Sequence, residues 1–120
     1  MSMLHVSRVD HILITVPPGQ MQAARAFYQD VLGLKEAEGE LPDWANWFVI
    51  GEIQLHLWEE EDPIVSVRHP AFEVQDLEEA RAFLLEKQLT ITEGPEVVGR
   101  KRLFFRDPFG NRFELIEYIA

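Results

Sequence analysis

Apolar residues recur along this chain with two spacings, and the spacing changes several times. VDHILITV (9–16) alternates, so Ile12, Ile14 and Val16 share one side of an extended segment and His11, Leu13 and Thr15 the other. The period then lengthens. Met21, Ala24, Phe27 or Tyr28, and Val31 mark one helical face, and Gly33 stands where a helix end favours a residue without Cβ. WANWFVI (44–50) and IQLHLW (53–58) return to the strand period. A second round follows. VRHPAFEV (67–74) alternates, and Leu77, Ala80 and Leu84 mark a helical face opened by Asp76 and Glu79 at capping-box spacing. KRLFF (101–105) and RFELIEYI (112–119) are strands again, joined by Asp107-Pro108-Phe109-Gly110-Asn111, a turn in which Pro fixes φ and Gly permits positive φ. Weaker strands are expected near 35–38 and 90–93.

The chain therefore repeats itself. Val9, His11 and Val16 align with Val67, His69 and Val74, and the tetrapeptide ARAF follows each copy, at 24–27 and 80–83. Each half reads β-α-β-β-β. Module one covers about residues 8–58, an acidic, proline-containing connector covers 59–65, and module two covers about 66–120. At 120 residues the chain is expected to be a single domain. The expected fold class is α+β, with two βαβββ modules forming a curved, half-open mixed sheet and the helices outside.

Strand parity sorts the side chains into an aliphatic face and a second face. The second face holds His11, Gln54, His56, His69 and Glu114. Glu114 raises a specific question, because Phe113, Leu115 and Ile116 surround it and an unpaired carboxylate taken out of water costs several kcal/mol. Arg112, two residues away on the same face, is one possible partner; a cation is the other. Two imidazoles and a carboxylate suit zinc, nickel, iron(II) or manganese and leave positions open for water and substrate. His56 is either a general base, since imidazole titrates near neutrality, or a polar wall residue. Trp44, Trp47, Trp58 and Phe104 line an apolar pocket or pack in the core.

Composition narrows the partners. With 11 basic against 21 acidic residues the net charge is −10, which argues against nucleic acid. The one basic run, Arg100-Lys101-Arg102, is a solvated strand edge or an anion clamp, with Arg102 the candidate substrate contact. The absence of cysteine excludes disulfides, thiolate metal sites and a thiol nucleophile. No apolar run reaches membrane-span length, and MSMLHVSRVDH lacks a signal-peptide core; a cytoplasmic protein without membrane contact is expected.

VDHILITV with ARAFYQDVLGL, VRHPAFEV with ARAF, and FRDPFGNRFELIE together resemble the vicinal oxygen chelate superfamily across nearly the whole chain. That superfamily includes glyoxalase I, extradiol dioxygenases, fosfomycin-resistance thiol transferases, methylmalonyl-CoA epimerase and bleomycin-resistance proteins. The resemblance implies paired βαβββ modules around a metal-binding cleft, one divalent ion, and His11, His69 and Glu114 as its ligands. It implies Gln54 at a fourth-strand position that is Glu in many glyoxalases and Gln in the epimerase. It further implies a small substrate chelated through vicinal oxygens, with lyase, isomerase or oxygenase chemistry, and a homodimer that in some relatives exchanges modules. His56 is the candidate catalytic residue; Gln54, Trp58, Arg102 and Phe104 are candidate substrate contacts. Three departures stand out: Gln54 cannot take a proton, Phe104 replaces a Tyr of the dioxygenases and fosfomycin enzymes, and WFV (47–49) replaces a catalytic Glu of the epimerase. The rival expectation is a metal-free protein that sequesters a cationic drug, as bleomycin-resistance proteins do.

Overall fold

A computed structural model describes residues 2–119 and divides the chain into two compact units, 1–61 and 62–120, with the boundary inside the acidic segment 59–65. Unit one runs β1 (His11–Val16), α1 (Met21–Ala26), β2 (Lys35–Glu36), β3 (Trp47–Ile50) and β4 (Ile53–Glu59). Its sheet order is β1-β4-β3-β2, with β1 parallel to β4 and the other pairs antiparallel. Helix α1 widens after Ala26 into a π-helical turn, Phe27–Val31, in which the Leu32 N–H donates to the Phe27 carbonyl at 3.0 Å. The sequence pattern left Phe27 and Tyr28 as alternatives for the inner face, and the structure buries both. Gly33 then takes φ +74°, the left-handed conformation that closes a helix at little cost only for glycine.

Unit two repeats the plan with β5 (Ala71–Glu73), α2 (Leu77–Glu86), β6 (Ile91–Glu93), β7 (Arg100–Arg106) and β8 (Arg112–Tyr118), in sheet order β5-β8-β7-β6. The start of α2 is capped twice. Asp76 accepts the Glu79 N–H at 3.0 Å, and Glu117 on β8 accepts the Leu77 N–H at 2.7 Å, so two of the four orphan donors are satisfied by anions that also suit the helix dipole. In the β7–β8 turn, the Asp107 carboxylate accepts from the N–H groups of Phe109 and Asn111 at 2.9 and 2.8 Å. This side-chain mimicry of a turn explains a carboxylate that is only 4% exposed.

The aliphatic faces expected from parity are the cores. Val16, Tyr28, Phe48 and Leu55 in unit one and Leu103 in unit two are fully buried, each worth roughly 2 kcal/mol of apolar burial. Each unit also ties its helix to its sheet through the arginine of ARAF. Arg25 pairs with Glu36 on β2 and donates to Asn46; Arg81 pairs with Glu93 on β6 and with Glu78. The internal repeat thus conserves an ion pair as well as a hydrophobic pattern.

Strands begin later than the alternation suggested. β1 starts at His11 rather than Val9, β3 at Trp47 rather than Trp44, and β5 at Ala71 rather than Val67. Pro70 explains the last case: it has no N–H to give to a ladder, while its carbonyl accepts the Glu114 N–H at 3.0 Å. His69 therefore sits in the segment leading into β5, not on the strand itself. Among the described residues no helix is long and apolar enough to cross a membrane.

Candidate functional site

In unit two, β8 and the segment before β5 bring His69 and Glu114 together, Nε2 to Oε1 at 2.9 Å. The His69 Nδ1 lies 2.8 Å from the Val67 carbonyl, which can only accept, so Nδ1 carries the proton toward it. The Arg112 Nη1 donates to the same carbonyl at 3.1 Å and stands 3.2 Å from Nδ1. With Nδ1 engaged as a donor, a neutral His69 presents its Nε2 lone pair to a carboxylate. Two electron-pair donors facing each other at 2.9 Å call for a cation between them, a proton or a metal. Glu114 is 5% exposed, and Arg102 on β7 reaches its other oxygen at 3.4 Å. The partner is thus Arg102 rather than Arg112, whose guanidinium lies over the Phe104 ring at 3.9 Å. Phe104 is buried under both arginines and meets the edge of His69 at 5.1 Å between centroids.

In unit one, His11 and Gln54 are ladder partners on β1 and β4. The Asp10 carboxylate accepts from the His11 Nδ1 at 2.9 Å; this hydrogen bond is the main reason the Asp10 pKa falls below the usual carboxylate value. His56 is stacked on both faces, against His11 at 4.0 Å and Trp47 at 4.2 Å between centroids. The Gln54 Oε1 accepts from its Nε2 at 2.9 Å. Burial first, and the His11 charge second, lower the His56 pKa, with Asp10 opposing, so the neutral ring is favoured. Trp44 meets Trp47 and Trp58 edge-on at 6.0 and 5.9 Å and completes an aromatic cluster. Trp44 and Trp58 remain 58% and 52% exposed, so these two are not core residues. Phe104 belongs to unit two, where it packs against His69, Arg102 and Arg112.

The strand ladders refine the repeat. Leu13 faces His56 across β1–β4, and Ala71 faces Glu114 across β5–β8. With His11 aligned to His69, Leu13 aligns to Ala71, and His56 rather than Gln54 occupies the place equivalent to Glu114. The contacts agree, because His11 touches His56 as His69 touches Glu114. Among the described residues, no group of three or more His, Asp or Glu side chains is arranged to hold a metal. His69 and Glu114 are paired within unit two, and His11 belongs to unit one. The residues that orient the two histidines, Asp10 and the Val67 carbonyl, were not anticipated, although Asp10 directly precedes His11 in the sequence.

The family model described as Glyoxalase/Bleomycin resistance protein/Dioxygenase superfamily matches residues 8–115. The metallothiol transferase FosB of Staphylococcus saprophyticus is 29% identical over 119 residues, covering 92% of this chain and 76% of that protein. The crystal structure of a glyoxalase family protein from Bacillus anthracis superposes with a TM-score of 0.85 at 28% identity, covering 98% of this chain and 99% of that one. Lactoylglutathione lyase from Agrobacterium tumefaciens shares the fold at a TM-score of 0.74 and 22% identity, covering 94% and 95%.

Proposed function

Since the chain belongs to the Glyoxalase/Bleomycin resistance protein/Dioxygenase superfamily, we propose that it is a small divalent-metal enzyme with His11, His69 and Glu114 as the metal ligands. The carrying observation is the matching treatment of the two histidines. His11 has its Nδ1 held by the Asp10 carboxylate and His69 by the Val67 carbonyl, which leaves Nε2 of each ring as the ligand atom. Carboxylate or carbonyl acceptors on the far nitrogen are the usual orienting partners of metal-bound histidine. The His69–Glu114 pair fits such an ion for the reason given by its two facing donors. A divalent ion there (zinc, nickel, iron(II) or manganese) supplies Lewis acidity toward neighbouring oxygens of a small substrate.

The chain's own groups then divide the remaining work. Arg102 balances the outer oxygen of Glu114 and fixes the carboxylate. His56 is the candidate base: its Nε2–H is given to Gln54, so the nitrogen that takes a proton is Nδ1, and its lowered pKa keeps it neutral for that role. Gln54 orients His56 and is not itself the base. Trp58 and Phe104 are substrate contacts, one in each unit. The chemistry is lyase, isomerase or oxygenase in class, through negative charge developing on a substrate oxygen. The relationship to a metallothiol transferase supports metal dependence. A homodimer, in simple or module-exchanged form, is the proposed assembly, and light scattering of the purified protein tests it.

Metal analysis of protein purified without chelator is the direct test. About one divalent ion per chain, lost in Glu114→Ala, is the expected result; equal metal content in both forms refutes the ligand assignment. The exposed Trp44 and Trp58, with the net charge of −10, favour one other reading, sequestration of a cationic drug without metal. Metal-free protein that binds bleomycin equally well with and without the Glu114 carboxylate is the outcome that reading requires.

A further inference from the structure

A cavity of about 540 Å³ in unit two is lined by Thr90, Thr92, Phe104, Arg106, Pro108 and Arg112, among others. Arg106 and Arg112 stand directly opposite each other in the β7–β8 ladder. Like charges at opposed ladder positions repel. Among the described residues neither lies within ion-pair distance of a carboxylate, although acidic residues outnumber basic ones 21 to 11. Asp107, beside Arg106 in the chain and on the same cavity wall, is committed to the turn it caps.

Both guanidinium groups are instead held by backbone carbonyls through one nitrogen. Arg106 donates Nη1 to Gly110 O at 2.8 Å, and Arg112 donates Nη1 to Val67 O at 3.1 Å while lying flat over Phe104. Their Nε–H and Nη2–H groups have no acceptor among the described residues. Two cations oriented in advance, mutually repelling and unneutralised on the wall of a cavity are arranged for an anion, because an oxyanion relieves the repulsion and accepts the spare donors. Thr92 lies opposite Phe104 in the β6–β7 ladder, and its hydroxyl adds a neutral donor to the same wall.

We infer that this cavity binds the carboxylate or phosphoryl group of a small acid. The inference extends the metal-enzyme reading, because Arg112 and Glu114 are two residues apart on one face of β8, roughly 7 Å along the strand. A substrate anchored at the two arginines can then offer its other oxygens at the Glu114 end, which limits it to a short acid oxygenated a few atoms from its anionic group.

The test titrates inorganic phosphate, and separately malonate, into EDTA-treated protein while following the side-chain Nε–H signals of Arg106 and Arg112 by NMR. The expected result is a saturable shift of both signals with at least one anion, and affinity weakened about tenfold or more in Arg106→Gln, the loss of one charge-assisted contact. Circular dichroism verifies that the variant is folded. Because the titration is made without metal, failure of the metal assignment leaves this result standing. Absence of a saturable response to either anion, or equal affinity in the Arg106→Gln protein, overturns the inference.

Discussion

Replacing Glu114 by two different residues separates its structural from its proposed chemical role. In Glu114→Ala, Arg102 loses its carboxylate and the His69 Nε2 loses its partner, while the Arg102 Nε is already buried without an acceptor. A fully buried pair broken in this way costs about 3–5 kcal/mol. The Arg102 and His69 side chains keep 20% and 26% of their exposure, so water recovers part of that, and a loss of about 2 kcal/mol is expected. In Glu114→Gln the amide can accept from Arg102 and donate to the His69 Nε2, so stability in EDTA should fall by no more than about 1 kcal/mol. Metal then discriminates. An ion at a concentration about 100-fold above its dissociation constant stabilises the native state by about 2.7 kcal/mol; a dissociation constant weakened about 100-fold reduces this to about 0.4 kcal/mol. Urea unfolding of the wild-type protein and both variants, with EDTA and with zinc, reads every one of these quantities. Equal zinc-induced stabilisation of wild type and Glu114→Gln would refute the ligand role. An alanine variant as stable as wild type in EDTA would refute the account of charge balance.

Leu55→Ala, at a fully buried position in the middle of β4, should lower unfolding free energy by about 2–5 kcal/mol in urea titration; a loss below about 1 kcal/mol would contradict its place in the core. Asp76→Ala should cost about 1 kcal/mol through its cap on α2, and Asp76→Asn much less, measured by thermal unfolding. Double-mutant cycles on Arg25–Glu36 and Arg81–Glu93 should each give a coupling of about 0.2–1 kcal/mol, since all four side chains are partly solvated; coupling in one unit and none in the other would deny the equivalence of the two ion pairs.

The repeat, the strand parity, the Asp76 cap and the Gly33 helix end were all legible in the sequence, because each depends on spacing along the chain. What escaped depends on spacing between chains of the sheet. Arg112 looked like the natural partner of Glu114, two residues off, yet same-face neighbours along a strand are roughly 7 Å apart. Arg102 arrives from the adjacent strand and makes the contact, while Arg112 turns to Val67 O and the Phe104 ring. The equivalence of His56 with Glu114 was hidden for the same reason, since only the ladder register reveals it. Alternation continues through Pro70 and so predicts His69 on a strand, whereas ladder pairing cannot pass the proline and β5 begins at Ala71. Of the candidate site, the residue types and their common face were readable; the second-nitrogen contacts of the two histidines were not, because backbone carbonyls and flanking carboxylates leave no periodic trace.

β8 carries acids on both of its sides, Glu114 toward His69 and Glu117 toward the first turn of α2. A single residue inserted or deleted between Arg112 and Glu114 would turn every later side chain over, driving one carboxylate into the helix-facing core and withdrawing the other from the helix it caps. Length variation in this half of the molecule is therefore expected to collect in 94–99, between β6 and β7, where no such two-sided commitment exists, and to be absent from the final strand.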